Sequence, residues 1–285
     1  MNTAPASRAR ARAWAGAASR PRRHVRFPAV LAQLSDLHVR VGPGDTRSAR
    51  RLAAAVDAVA GLDPAPDAVL VSGDLVDVAS AEAYGRVREL LAPLAMPVHA
   101  IPGNHDDREL LRAAFGPDDG GAGAPIRHAA ACGPLRLVAC DTTRPDRDEG
   151  RLGEEDLRWL DEQLAAHPGT PAIVAMHHPP LTTGIRAIDA IALPAADRAA
   201  LAEVLGRHPQ AGLVTCGHAH RAALGTLAGR PVLICPSTEV QLLLDLRPRD
   251  DLGFQLAEHD PPGFALHVLL DGGITSHVIP LEPVD

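Results

Sequence analysis

Five apolar runs in this chain each end in a short polar cluster that contains aspartate, asparagine or histidine. Runs of this length and composition predict buried β-strands, and each cluster then begins the loop that follows its strand. Loops at strand ends can converge in space, so the five clusters can form one site. The five segments are VLAQLSDLH, AVLVSGD, PVHAIPGNHD, AIVAMHHPP and GLVTCGHAH.

The side chains in these clusters are of the types that bind metal ions. Carboxylate and amide oxygens suit hard ions, whereas imidazole suits zinc, iron, manganese or cobalt. A carboxylate has two oxygens with which to bridge two ions, and Asp74, which is alone in its cluster, is the natural bridge. These residue types predict a hydrolytic site that holds two metal ions. Its predicted ligands are Asp36, His38, Asp74, Asn104, His177, His218 and His220.

Ligand spacing and neighbouring glycines support one convergent site. In DLH and HAH the two ligands are separated by one residue, which in an extended segment places both side chains on the same side of the backbone. Gly73, Gly103 and Gly217 each precede a predicted ligand. Glycine permits the positive φ and the close backbone approach that a sharp strand-to-loop bend requires, so these bends are predicted to aim the ligands.

Helical patterns lie between the predicted strands. This alternation indicates βαβ units, with helices packed on the faces of a sheet. The C-terminal segments RPVLICPST, FALHVLL and ITSHVIPL predict antiparallel strands, with DGG as a hairpin turn. The predicted fold class is therefore α/β, with mixed sheets flanked by helices. The helical segments are SARRLAAAVDAVAGL, SAEAYGRVRELLAPL, EEDLRWLDEQLAAH and AADRAALAEVLGRH.

A length of 285 residues with 46% hydrophobic content allows a single two-sheet domain with a sizeable core. We predict a catalytic domain over residues 29–285, preceded by a disordered extension over residues 1–28 that is rich in arginine and alanine. The first 35 residues contain seven arginines and no acid, so a targeting arm or a nucleic-acid or membrane contact are the alternatives there. No stretch is apolar enough for a membrane span.

The rest of the chain is acidic, with 21 arginines against 35 acids and a formal charge of −14. This balance argues against a nuclease that follows a polyanionic backbone, so no nucleic-acid partner is expected. The cysteines are scattered and form no CxxC pair, which is typical of small core residues in a reducing, cytoplasmic setting. They are Cys132, Cys140, Cys216 and Cys235.

The motifs D-x-H, GD, GNHD, HHPP and GHAH, in this order, resemble those of the calcineurin-like metallophosphoesterase family. The resemblance runs from about Ala29 to the C-terminus and includes DTTRPDRDEGRLGEEDLRWLDEQL. The segment CPSTEVQ, followed by GFALHVLLDGGITSHVIPL, is similar to the bacterial class III cyclic-AMP phosphodiesterase branch. The resemblance implies an αββα fold, in which two mixed sheets pack as a sandwich flanked by helices, and it also implies a homodimer.

The family resemblance also implies how the ligands divide between two ions. One ion would be held by Asp36, His38, Asp74 and His220, and the other by Asp74, Asn104, His177 and His218. The expected cofactors are two divalent or mixed-valence ions among Fe, Mn, Zn and Co, because preference follows availability as well as ligand type. A hydroxide shared by both ions would be the nucleophile.

The same resemblance suggests which residues act on the substrate. His105 would point at the phosphate and protonate the leaving oxygen, so His105 and the bridging Asp74 are the predicted catalytic residues. The alternative for His105 is that it only fixes Asn104. Asn104, His105 and Arg40 are the predicted substrate-binding residues, although Arg40 is explained equally well as a solvated surface residue.

Several residues near the motifs have two explanations. His178 adjoins a predicted ligand but should point the opposite way, so a hydrogen bond is expected instead of coordination. Asp77 could orient a ligand or cap the loop before the next helix. Ser237, Thr238 and Gln241 could line a nucleobase pocket or simply form a turn at a strand end.

The complete ligand set, together with the resemblance of the C-terminal segment, implies a dinuclear metal-dependent phosphodiesterase that converts cyclic AMP to 5′-AMP by attack of a metal-bridging hydroxide. The expected partner is therefore a small phosphodiester, specifically a 3′,5′-cyclic nucleotide. Glycerophosphodiesters or other small phosphodiesters are the alternative substrates. A non-catalytic docking scaffold is the alternative of another class, and the complete ligand set argues against it.

Overall fold

The computed structural model describes residues 29–42, 46–116, 121, 123–247 and 253–282. The predicted extension over residues 1–28 lies outside this description. The strands are β1 Ala29–Leu34, β2 Ala68–Ser72, β3 Val98–Ile101, β4 His128–Cys132, β5 Leu135–Ala139, β6 Ala172–Ala175, β7 Ala211–Cys216, β8 Ala223–Leu227, β9 Arg230–Ile234, β10 Gly263–Leu270 and β11 Gly273–Pro280. The helices are α1 Arg47–Ala60, α2 Ala81–Leu91, α3 Arg108–Phe115, α4 Glu154–Ala165, α5 Arg186–Ile191 and α6 Ala195–Arg207.

The described strands form two mixed sheets. The first has the order β11-β10-β1-β2-β3, and the second has the order β4-β5-β6-β7-β9-β8. Strands β1, β2 and β3 run parallel, and so do β5, β6, β7 and β9. The antiparallel pairs include β10 with β11, as the C-terminal pattern predicted.

The two sheets pack face to face, with helices on both outer faces. Leu31 and Leu70 of the first sheet share an inner apolar layer with Leu137 of the second. Because successive side chains of a strand point to opposite faces, Leu34 packs on the other side, in an outer layer that includes residues of α1, α2 and α3. Residues of α4, α5 and α6 cover the second sheet, so the predicted αββα sandwich is confirmed.

Helices α1, α2, α4 and α6 cover the segments that the sequence patterns predicted. Helices α3 and α5 were not predicted, and both are short, so neither shows enough turns for a clear apolar period. Asp107 caps the N-terminus of α3, since its side chain accepts a hydrogen bond from the Leu110 backbone N–H over 2.9 Å. Among the described helices, none has the length and apolar character needed to cross a membrane.

Candidate metal centre

The predicted ligands converge where the parallel strands of both sheets end. Asp36 and His38 follow β1, and Asp74 follows β2. The two loops are tied by their backbones, because the Asp36 N–H donates to Gly73 O over 3.1 Å and the His38 N–H donates to Asp74 O over 3.0 Å. Strands β3, β6 and β7 lead to the remaining ligands, which are Asn104, His177, His218 and His220.

Four ligand atoms surround a first position. His38 Nε2 lies 2.9 Å from His220 Nε2 and 3.5 Å from Asp74 Oδ2. His220 Nε2 lies 3.5 Å from Asp36 Oδ1. These four residues form one of the groups whose ligand atoms all lie within 4.8 Å of one another.

A second position lies on the other side of Asp74. His177 Nε2 lies 3.4 Å from Asp74 Oδ2, 3.2 Å from Asn104 Oδ1 and 3.2 Å from His218 Nδ1. The same carboxylate oxygen, Asp74 Oδ2, is therefore near a histidine nitrogen of each position. This is the geometry that a carboxylate bridging two ions requires.

The hydrogen bonds of the rings show whether these residues fit metal ions. Donation by His220 Nδ1–H to Val240 O over 3.0 Å leaves a lone pair on His220 Nε2. His38 Nδ1 lies 3.4 Å from Asp77 Oδ1, which likewise directs the His38 Nε2 lone pair inward. The two Nε2 atoms lie 2.9 Å apart, so one cation between them can accept both lone pairs when both rings are neutral. Ligand atoms about 3 Å apart also suit metal–ligand bonds of about 2.0–2.2 Å. The residues therefore fit a metal ion.

The buried carboxylates favour positive charge at this end of the sandwich. Burial opposes protonation of His177, but the neighbouring Asp74 and Asp36 raise its pKa to about 9. Burial raises the pKa of Asp74, but His177 overcomes this effect and holds that pKa well below its usual range. Burial lowers the pKa values of His218 and His220, which favours the neutral, ligating imidazole.

His178 has both ring nitrogens engaged by protein groups. Its Nε2–H donates to Asp148 O over 3.0 Å, and its Nδ1 accepts a hydrogen bond from the Thr142 hydroxyl over 2.8 Å. His177, His178 and His218 form a group that could hold a metal. The two hydrogen bonds of His178 nevertheless leave it no free lone pair, so we assign it to orientation of the loop.

Asp77 contacts two histidines of the site. Its Oδ1 lies 3.4 Å from His38 Nδ1, and its backbone carbonyl accepts a hydrogen bond from His105 Nδ1–H over 2.9 Å. Arg40 Nε lies 3.0 Å from Asp77 Oδ2. The hydrogen bond with His38, joined by that of Arg40, holds the pKa of Asp77 below its usual range. Of the two roles open for Asp77 from the sequence, these contacts favour orientation of a ligand.

A cavity of about 410 Å³ opens beside the centre. Asn104 and His105 form one wall, and residues 143–148 form another. The turn residues Ser237, Thr238 and Gln241 do not line this cavity and are at most 4% exposed. The Ser237 hydroxyl instead donates to Asp36 O over 2.7 Å, which favours the structural explanation of the turn.

Sequence reasoning missed a group of residues that supports the GNHD loop. Asp106 Oδ1 accepts a hydrogen bond from the Tyr84 hydroxyl over 2.8 Å, and Asp106 Oδ2 accepts one from the Gly103 N–H over 2.9 Å. Tyr84 lies on α2, so it is separated from this loop by β3. The only available signal was a tyrosine within an otherwise ordinary amphipathic pattern.

Two mixed sheets flanked by helices, with candidate metal ligands where the strands end, are the architecture of a metallophosphoesterase. The family model described as calcineurin-like phosphoesterase matches residues 29–222, which is more than half of the chain. The protein belongs to this family.

Curated relatives agree with this assignment, and a solved structure has a similar fold. The chain is 34% identical to a probable cyclic nucleotide phosphodiesterase of Synechococcus sp., over 82% of this chain and 88% of that protein. It is 30% identical to a probable glycerophosphodiester phosphodiesterase of Arcobacter nitrofigilis, over 87% of this chain and 92% of that protein. The fold is similar to that of a dimetal phosphatase from Danio rerio, with a TM-score of 0.63, 17% identity, and coverage of 90% of this chain and 100% of that one.

Proposed function

We propose that the protein is a dinuclear metal-dependent phosphodiesterase that opens 3′,5′-cyclic nucleotides, with cyclic AMP giving 5′-AMP. The observation that carries the proposal is the position of Asp74 Oδ2, 3.5 Å from His38 Nε2 and 3.4 Å from His177 Nε2. A single oxygen shared between two histidine-containing groups is the arrangement needed to hold two ions side by side. The name of the Synechococcus relative supports the cyclic-nucleotide substrate.

Two ions among Fe, Mn, Zn and Co would supply an activated water at neutral pH and stabilise charge on the phosphoryl oxygens. The protein would hold them through the ligands already described, with Asp74 common to both. Nearby hydrogen bonds, such as that from His177 Nδ1–H to Ser72 O over 2.8 Å, fix the direction of each ligating nitrogen.

His105 is our proposed general acid. Its Nδ1–H donates to Asp77 O, so Nε2 is the nitrogen free to face the cavity. When protonated, Nε2 can donate its proton to the departing 3′-oxygen. The His105 backbone N–H donates to Asp74 Oδ1 over 3.0 Å, which fixes the residue beside the bridging carboxylate.

The cavity favours a small substrate. A volume of about 410 Å³ falls in the range of about 300–1,000 Å³ that is typical of small-molecule sites. We propose that Asn104 and His105 contact the phosphate from the cavity wall. Arg40 would contribute from the side of Asp77, with its side chain 41% exposed despite the ion pair.

The main alternative is a phosphodiesterase of the same mechanism that acts on glycerophosphodiesters. The name of the Arcobacter relative favours it. A docking scaffold without catalysis has no observation in its favour, because all seven candidate ligands are in place.

The deciding experiment compares turnover of cyclic AMP, bis(p-nitrophenyl) phosphate and glycerophosphocholine by the metal-analysed protein with Mn²⁺ added. We expect the highest kcat/KM on cyclic AMP. Activity on the aryl diester with little on cyclic AMP would keep the mechanism and reject the substrate. Failure to hydrolyse any phosphodiester would reject the enzyme.

Two variants separate the roles of adjacent residues. Asn104→Ala should weaken Mn²⁺ binding, because it removes a proposed ligand. His105→Ala should retain Mn²⁺ and lower kcat by about 10²–10⁴-fold, the contribution of a general acid. Equal loss of metal in both variants would contradict the role of His105.

Three further parts of the proposal concern the whole protein. We propose that residues 29–285 form the catalytic domain and that the enzyme is cytoplasmic, which its four buried, unpaired cysteines support. Subcellular fractionation tests the location. The predicted homodimer stays a prediction, and light scattering coupled to gel filtration tests it.

A further inference from the structure

The hydroxyl of Tyr84 joins helix α2 to the loop that carries Asn104 and His105. It donates a hydrogen bond to Asp106 Oδ1 over 2.8 Å and accepts one from the Asp107 backbone N–H over 3.0 Å. Tyr84 is the single tyrosine of the chain and is 1% exposed. Burial and the neighbouring Asp106 raise the pKa of Tyr84, so its hydroxyl keeps the proton that it donates.

Asp106 extends this contact to two loops of the centre. Its Oδ2 accepts hydrogen bonds from the Gly103 N–H over 2.9 Å and from the Leu75 N–H over 3.2 Å. Gly103 directly precedes Asn104, and Leu75 directly follows Asp74. One carboxylate therefore sets the distance between the loop after β2 and the loop after β3.

We propose that Tyr84 is a positioning residue of the metal centre, which acts through Asp106 to hold Asn104 and His105 in place against Asp74. The inference rests on the two-metal site of the proposed function. The hydroxyl of Tyr84 bonds to Asp106 and Asp107, neither of which is a candidate ligand, so its effect must pass through the loop.

The contact with Asp107 strengthens the constraint. The Asp107 N–H donates to the Tyr84 hydroxyl, and the Asp107 side chain accepts from the Leu110 N–H at the start of α3. The segment from Asn104 to Asp107 is thus fixed at its end by Tyr84 and near its start by Asp106. A loop held at two points keeps the ligand and the general acid in one arrangement before substrate arrives.

Tyr84→Phe tests the proposal, because it removes the hydroxyl and keeps the ring in the core. Asp106 Oδ1 and the Asp107 N–H then lose their partner, and the loop loosens. We expect Mn²⁺ affinity, measured by calorimetry without substrate, to fall by about 10-fold or more, as when a residue that orients a ligand is lost. At saturating Mn²⁺, kcat for bis(p-nitrophenyl) phosphate should remain depressed, because His105 is no longer held in position.

Ser80→Ala, at the residue that caps the N-terminus of the same helix, is the matched control. The Ser80 hydroxyl accepts a hydrogen bond from the Ala83 N–H over 3.1 Å at the start of α2 and takes no part in the Asp106 contacts. The Ser80→Ala substitution should lower the melting temperature and leave Mn²⁺ affinity unchanged. The proposal is overturned if the two variants bind Mn²⁺ with equal affinity, whether that affinity equals that of the wild type or is lower.

Asp106→Asn provides a second route to the same result. The substitution replaces one acceptor oxygen with an NH2 group, which then faces either the Gly103 and Leu75 N–H groups or the Tyr84 hydroxyl, so we expect a loss of Mn²⁺ affinity as for Tyr84→Phe. Wild-type affinity in this variant would contradict the proposal. The Mn²⁺ binding assay contains no substrate, so it tests the role of Tyr84 independently of catalysis. If the wild-type protein hydrolysed no phosphodiester, the proposed function would be rejected, and the Mn²⁺ affinities of the variants would still decide the role of Tyr84.

Discussion

Gly103 packs directly against the bridging aspartate, so Gly103→Ala probes the construction of the site with a single methyl group. A Cβ at this position would overlap Asp74 Oδ1 and the Asp74 backbone nitrogen, and it would lie 2.8 Å from Asp74 Cγ. Carbon atoms in contact normally lie about 3.5–4.0 Å apart. Asp74 or the Gly103 loop must therefore move by about 1 Å to accept the methyl group.

The size of this shift determines the expected effect. Metal–ligand distances are defined to within about 0.2 Å, so a displacement of about 1 Å takes a ligand out of bonding range. Asp74 Oδ2 faces both candidate ion positions. We therefore expect Gly103→Ala to weaken the binding of both ions by at least about 10–100-fold, the loss typical when the surroundings of a ligand are disturbed.

The assay is Mn²⁺ titration by calorimetry, with Gly85→Ala as the matched control. A Cβ at Gly85, within α2, would meet no atom within 4 Å. Alanine in a helix interior is favoured over glycine by about 0.5–1 kcal/mol, so the control should be slightly more stable and bind Mn²⁺ normally. Equal Mn²⁺ affinity in the two variants would refute the steric argument.

Three other predictions address stability and metal binding. Burial lowers the pKa of His267 to about 3, below the value of about 6.5 in an unfolded chain. The unfolded state therefore binds a proton that the folded state does not, and stability falls as pH drops below about 6.5, by about 2 kcal/mol at pH 5. In urea unfolding, the free energy of unfolding of His267→Gln should lack this fall at low pH. Identical pH profiles of stability for the variant and the wild type would contradict the role of His267. Removal of both metal ions by a chelator should lower the melting temperature by about 10–20 °C, because each ion at about 100-fold above its Kd contributes about 2.7 kcal/mol; an unchanged melting curve would argue against bound metal. Asp77→Ala should reduce Mn²⁺ affinity by about 10-fold or more, because His38 Nδ1 loses its partner. The control is Glu89→Ala, which removes an exposed ion pair with Arg86 and should leave Mn²⁺ affinity unchanged.

The parts of the molecule that could be predicted from sequence depend on local patterns. The run AVLVSGD predicted a buried strand followed by a ligand, and β2 is buried throughout and ends directly before Gly73 and Asp74. The alternation of such runs with helical segments predicted the layered α/β fold, because neighbouring positions along the chain determine both periods. The residue types within the clusters predicted a metal centre, and the structure groups several of these residues closely enough to hold an ion.

The contacts that support the centre could not be predicted, because they join residues far apart in the chain. Tyr84 and Asp106 are separated by 22 positions and meet only after α2 and β3 have packed. His38 and Asp77 likewise meet only when the loops after β1 and β2 lie side by side. Neither contact leaves a periodic or spaced signal in one sequence, so only the packed structure shows which aspartate orients a histidine.

The glycines that precede the ligands were predicted to supply both positive φ and close backbone approach, and the three positions differ in which of these they supply. Gly73 has a φ of 99°, as a sharp bend was expected to require. Gly103 and Gly217 do not adopt positive φ, and close approach alone explains them. A Cβ at Gly217 would overlap the Ser35 hydroxyl and lie 2.7 Å from Asp36 Oδ2.

Positive φ angles also occur at five of the candidate ligands themselves, with values of 52° at Asp36, 42° at His38, 51° at Asp74, 70° at His218 and 45° at His220. For residues with a Cβ this conformation costs about 1–2 kcal/mol each, so the surrounding structure must enforce it. Hydrogen bonds do so across the site: the His38 N–H donates to Asp74 O, and the His218 N–H donates to Asp36 Oδ1 over 2.9 Å. Glycine at any of these positions would relieve the strain but remove a side chain that faces the proposed ions. Chemistry, not backbone preference, therefore determines the residue type at most of these bends, and for that reason sequence rules that assign positive φ to glycine located the bends but, among the residues that adopt it there, identified only Gly73.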